Sequence, residues 1–100
     1  MRYYFCKFYP PRPDFMTTMT DDEARLMKGH GEYLQSLLVL DKVVAHGPVD
    51  DHGGGFGLSL FAIEEEGELD GLLRSDPMIR AGTGARYERF PMKHLRWQIG

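Results

Sequence analysis

His30 is the residue best placed by type and context to do chemistry in this chain. It lies in the run Leu26-Met27-Lys28-Gly29-His30-Gly31-Glu32-Tyr33-Leu34. An imidazole takes or gives a proton near neutral pH, which is what general acid–base catalysis requires. Helical neighbours lie three and four residues apart. Leu26, His30, Tyr33, Leu34 and Leu37 therefore share one side of a helix. A titratable ring on a core-facing side needs a reason. Gly29 and Gly31 need one too, since each weakens a helix interior by about 1 kcal/mol relative to Ala. They leave the imidazole without bulky neighbours, so a small molecule can approach it. The plainer account is a buried histidine satisfied by one hydrogen bond. Tyr33 carries a hydroxyl able to donate to a substrate oxygen, or it is an amphipathic core residue with its polar end at the surface.

Other groups of reactive type are weaker candidates. His46-Gly47-Pro48-Val49-Asp50-Asp51-His52 holds two imidazoles and two carboxylates, but its spacing matches no helical or knuckle-like zinc site, so no metal is expected. Gly53-Gly54-Gly55-Phe56-Gly57 is not a phosphate cradle. Such loops join a strand to a helix and carry a lysine, whereas this one joins two strands. No serine has the strand–turn–helix setting of a hydrolase nucleophile. Cys6 lies among apolar neighbours, which raise a thiol pKa and make it a poor nucleophile. Glu64, Glu65, Glu66 and Glu68 read as the acidic start of a helix. Met16, Met19, Met78 and Met92 suit either an adaptable apolar pocket or ordinary packing.

The whole composition narrows the classes. One hundred residues make one domain with a modest core, of a size often completed by a partner subunit. The net charge is −3 with both signs interspersed, so no basic face is offered to nucleic acid. The single cysteine cannot form an internal disulfide, which fits a reducing, cytoplasmic compartment. No apolar run approaches the length of a membrane span, and the aromatic N-terminus does not read as a signal peptide.

These residues must be positioned by an alternating set of elements. Residues 2–9 read as a strand, because aromatic residues favour strands. Tyr3, Phe5 and Tyr9 point one way, and Tyr4, Cys6 and Phe8 the other. Both faces are largely apolar, so helices on one side leave the other needing cover, for which a second copy of the sheet is expected. Pro10, Pro11 and Pro13 make residues 10–19 a loop. Thr20 and Glu23 form a capping box for a helix from about Asp21 to Leu40. Lys42 to His46 reads as a short strand ending at Gly47-Pro48, and Phe56 to Ile63 as its hairpin partner. Glu64 to Ser75 is a second helix, ended at Asp76-Pro77 because proline disfavours helical geometry in the residue before it. Residues 78–84 are expected to be a loop, and Ala85 to Met92 the last strand, ending near Pro91 or lying at an edge. Leu95, Trp97 and Ile99 in the tail 93–100 are candidates to dock on a partner. The order βαββαβ is the split βαβ, or ferredoxin-like, α+β sandwich with a four-stranded antiparallel sheet.

In this order the residues resemble the YCII-related (YciI-like) family, whose fold is the dimeric α+β barrel. The resemblance runs from the first strand to Met92. It is carried by His30 with Tyr33-Leu34, by Gly47-Pro48-Val49, by Gly57, by Asp76-Pro77, by Ala81-Gly82, and by Tyr87 and Pro91-Met92. It implies a catalytic pair, which here would be His30 and Asp76. Tyr33, Gly47, Pro48 and Tyr87 are the candidate substrate-binding residues, with the role of Tyr87 open. Apart from the resemblance, Asp76 is simply a turn-forming aspartate before proline. Asp41 stands where the family has glycine, and Gly31 where a larger residue is common. Members are associated with elimination chemistry on hydroxylated aromatic compounds, and the wider superfamily holds small oxygenases and isomerases.

The expectation is therefore a cytoplasmic homodimer with a small-molecule cleft and no cofactor. His30 and Asp76 would carry out acid–base chemistry, elimination or isomerisation, on a small organic or aromatic substrate. The alternative is a non-catalytic ligand-binding or accessory dimeric module. A third reading is an oxygenase whose substrate itself activates oxygen.

Overall fold

The aromatic run at the start of the chain becomes the centre of a sheet. In the computed structural model, which describes residues 1–98, β1 (Arg2–Tyr9) is followed by α1 (Phe15–Thr18), α2 (Asp21–Val39), β2 (Val43–Val49) and β3 (Phe56–Ile63). Then come α3 (Glu68–Arg74), α4 (Pro77–Arg80) and β4 (Arg86–Met92). The strands lie in the order β2-β3-β1-β4, and every neighbouring pair is antiparallel. This is the expected ferredoxin-like α+β arrangement. Among the described residues no helix is long and apolar enough to cross a membrane.

Strand alternation sorts β1 as its residue types demand. Cys6 and Phe8 are buried toward the helices, with Tyr4 packed beside them, while Tyr3, Phe5 and Tyr9 lie on the opposite phase. On the helix side, Cys6, Leu34, Leu37, Val43, Phe61, Ile63, Leu69 and Leu73 form one core cluster. A second cluster, Phe8, Phe15 and Met78, lies toward the far end of β1 and supports the site.

The capping box of α2 is complete. Glu23 N–H donates to Thr20 Oγ1 at 3.1 Å, and Thr20 N–H donates to Glu23 Oε1 at 2.9 Å. Arg12 adds a two-pronged contact to the same carboxylate, 2.8 and 2.9 Å. That guanidinium, then the Thr20 backbone, hold the Glu23 carboxyl down at about 2. The helix stops at a left-handed Asp41, φ 60°. Asp41 N–H donates to Leu38 O and Lys42 N–H to Leu37 O, a full Schellman stop with aspartate in the glycine position.

Four boundaries differ from the sequence expectation. The proline loop 10–19 contains α1, one turn anchored by the fully buried Phe15; a single anchor has no periodicity to read. β2 continues through Gly47-Pro48 to Val49. It is an edge strand, so the missing N–H of Pro48 breaks no second ladder. The second helix starts at Glu68 instead of Glu64, after Gly67 turns the chain with φ 97°. Finally, Asp76-Pro77 begins a helical turn as well as ending one. Asp76 is the extended N-cap of α4 and Pro77 its first helical residue.

Candidate active site

The register of α2 brings His30 down onto the second core cluster. The residue is 6% exposed, and its ring stacks on Phe8, 4.1 Å between centroids at 29°. The two flanking glycines serve different ends. A Cβ on Gly29 would sit 3.4 Å from Pro77 Cγ, so Gly29 lies where α4 comes against the helix. A Cβ on Gly31 would meet nothing within 4 Å, because Gly31 faces open cleft.

Asp76 is fully buried and accepts three hydrogen bonds. Oδ1 takes the Met78 N–H at 2.9 Å, the cap of α4. Oδ2 lies 2.5 Å from His30 Nδ1 and takes the Tyr87 hydroxyl at 2.6 Å. Forty-six positions separate the imidazole from the carboxylate, so only the packing of α2 on α4 joins them. A carboxylate without donors would be very costly here; three donors offset its lost hydration. Burial pushes the Tyr87 hydroxyl well above its ordinary value, and the Asp76 charge pushes it further. Tyr87 is therefore a standing donor, held edge-on to Phe8 at 5.3 Å.

His30 opens onto a cleft of about 460 Å³ between α2 and the β2–β3 end of the sheet. Phe8, Met27, Gly31, Gly47, Pro48 and Ser59 are among its walls. Of the residues expected to contact substrate, Gly47 and Pro48 line this cleft. Tyr87 stands behind it, bonded to Asp76. Tyr33 is directed elsewhere: its hydroxyl donates to the Leu72 carbonyl at 2.7 Å, and it packs against the first core cluster. The backbone acceptor on α3 lies within its reach, so the Tyr33 hydroxyl is already partnered in the core. Met16 lines the cleft, whereas Met78 is core.

The glycine-rich connection forms one rim. Asp51 accepts from the N–H groups of Gly53 and Gly55, both at 2.8 Å. These two bonds hold its carboxyl below the usual carboxylate range. A Cβ on Gly54 would lie 2.4 Å from the Pro13 carbonyl oxygen, so only glycine fits there. His46 lines the cleft and meets Gln35 Oε1 at 3.3 Å. Among the described residues no group of three or more His, Cys, Asp or Glu side chains is placed to hold a metal. The Cys6 thiol is buried, and that burial pushes it up to about 12.

Sequence reasoning passed over Ser59. It is 1% exposed and lines the cleft, and its hydroxyl has no hydrogen-bond partner. The available signal was its phase: Ser59 alternates inward with Phe61 and Ile63 in an otherwise apolar strand.

The model of the YCII-related domain matches residues 1–93 of this chain. No curated protein matches it. A solved structure of similar fold is the 5-chloro-2-hydroxyhydroquinone dehydrochlorinase (TftG) from Burkholderia phenoliruptrix AC1100, in complex with 2,5-dihydroxybenzoquinone. The two share 19% identity with a TM-score of 0.55, over 97% of this chain and 95% of that one. At that identity the likeness is one of fold.

Proposed function

Because the chain belongs to the YCII-related domain family, we propose that it is a small acid–base enzyme in which His30 moves the proton and Asp76 holds it ready. The observation carrying this reading is the buried 2.5 Å contact between His30 Nδ1 and Asp76 Oδ2. An ionised carboxylate only accepts hydrogen bonds, so the imidazole proton belongs on Nδ1. Nε2 then carries the lone pair, and the cleft is the open side of the residue. When Nε2 takes a proton, the adjacent carboxylate balances the new charge in a site sheltered from water. Tyr87 and the Met78 N–H fix the carboxylate, so Asp76 cannot swing away from the ring.

The substrate class follows from the cleft. Its walls are largely apolar and carry few polar groups, which suits a small ring compound. In an elimination, Nε2 removes a substrate proton, the released electron pair forms a new double bond, and the leaving group departs with its own pair. In an isomerisation the same proton returns to another atom. The dehydrochlorinase of similar fold makes elimination from a hydroxylated, halogenated ring the first reaction to assay.

We also propose a homodimer built through the helix-free face of the sheet. Phe5 and Phe90 pack together there, 5.8 Å between centroids, and Phe90 is 43% exposed. Trp97 from the tail lies edge-on to Tyr3 at 5.8 Å and remains 49% exposed. Ile99, the third apolar residue of that tail, lies outside the described residues.

The test is a panel of chlorinated hydroquinones, followed by chloride release and ultraviolet absorbance. Turnover in the wild type that His30→Ala abolishes supports the reading. Ligand binding at His30 without turnover across the panel would favour a non-catalytic binding module instead.

A further inference from the structure

The cleft has a second polar point that the proton-transfer pair does not use. Ser59 lies on β3 with its hydroxyl almost fully enclosed and unpartnered. Its cross-strand neighbours are Cys6 on β1 and His46 on β2. Neither satisfies it: Cys6 offers only a weakly bonding thiol, and His46 directs Nε2 to Gln35. A buried hydroxyl without a partner is unfavourable, and alanine would fill this place in a purely structural strand without that defect.

Its position relative to His30 is set by strand register. His30 stacks on Phe8, and Phe8 pairs with Gly57 on β3. Ser59 is two residues farther along β3 on the same face. One strand spacing across and two residues along separate the Phe8 and Ser59 backbones by roughly 8 Å. Gly57 has no side chain to fill the gap between these rows. A single oxygen atom does not span that separation. A six-membered ring bearing oxygens at opposite ends does, with its apolar faces against the cleft walls.

We infer that Ser59 is a specificity-determining residue that hydrogen-bonds a second oxygen substituent of the ligand, so that the cleft selects ring compounds oxygenated at both ends. This rests on the reading of the cleft as the substrate site and adds to it the residue that discriminates among ring compounds. The Ser59 hydroxyl donates to, or accepts from, the ligand oxygen remote from His30. That bond is worth about tenfold in affinity, the usual net value of one neutral hydrogen bond.

The experiment is an NMR titration of the full chain with hydroquinone and with phenol under argon, observing the His30 ring resonances. Wild-type protein should bind hydroquinone about tenfold more tightly than phenol. Ser59→Ala should bind both with the affinity the wild type has for phenol, and without ligand it should melt at or above the wild-type temperature. Preserved discrimination in Ser59→Ala, equal affinities in the wild type, or a lower melting temperature for the variant would overturn the role of Ser59 while leaving the cleft reading intact. If neither compound moves the His30 resonances in the wild type, the cleft reading and the role of Ser59 fall together.

Discussion

Replacing Asp76 by asparagine keeps the outline of the side chain and removes its charge. Three donors converge on the native carboxylate: the His30 imidazole, the Tyr87 hydroxyl and the Met78 N–H. An amide has only one oxygen. If that oxygen stays on the Met78 N–H, the amide NH2 meets two donors, and His30 must shift its proton from Nδ1 to Nε2. The lone pair then faces the amide instead of the cleft. If the amide turns over, its NH2 opposes the Met78 N–H and the first turn of α4 loses its cap. A lost hydrogen bond to a charged group is worth about 1.5–3 kcal/mol. Removing a buried charge returns part of that, so a net loss of about 1–3 kcal/mol in stability is expected. Turnover suffers more, because the wrong tautomer removes the base; about a 10²- to 10⁴-fold fall in kcat is expected. Urea denaturation and chloride release measure the two effects. An asparagine variant within twofold of wild-type kcat would refute the argument that the carboxylate holds the working tautomer.

Four further outcomes follow from the same structure. Gly31→Ala should raise stability by about 0.5–1 kcal/mol in urea, because the new methyl meets open space and a helix-interior glycine is relieved; no gain would contradict that placement. Asp41→Gly should add about 0.5–1 kcal/mol by the same measurement, since glycine takes the left-handed stop without strain. The Glu23 carboxyl is held at about 2 in the folded chain against an ordinary 4.5. The stability it contributes is present above about pH 4.5 and drains away as pH falls toward 2; melting curves of wild type and Arg12→Ala should converge over that range, and parallel curves would exclude the contact. Light scattering should return about twice the 11.5 kDa chain mass, because an aromatic sheet face of this kind is a typical association surface; a monomer at micromolar concentration would exclude the sheet-face dimer.

Much of the architecture was legible because a few signals are local and strong. The Thr20–Glu23 capping box marked the start of α2. The alternation of Tyr3, Tyr4, Phe5, Cys6 and Phe8 separates the two faces of β1. The stripe holding His30 identified a buried imidazole. What sequence alone could not supply was convergence. Nothing local places Asp76 against His30, and the contact depends on how α4 packs under Gly29. The second role of Asp76-Pro77, starting α4, was hidden because a four-residue turn has no period. Phe15 was hidden for the same reason. Tyr33 illustrates the converse: it lies on the predicted side of the helix, yet a nearby carbonyl captures its hydroxyl. Pro48 ended the expected strand too early because an edge strand tolerates what an interior one does not.

The protonation state of the His30 ring bears most directly on the whole account. Nitrogen-15 NMR of the wild type should show His30 as the Nδ1–H tautomer, with an unprotonated Nε2 signal that moves when a hydroxylated ring compound is added. An Nε2–H tautomer, or an Nε2 signal indifferent to every such compound, would contradict a base poised by Asp76.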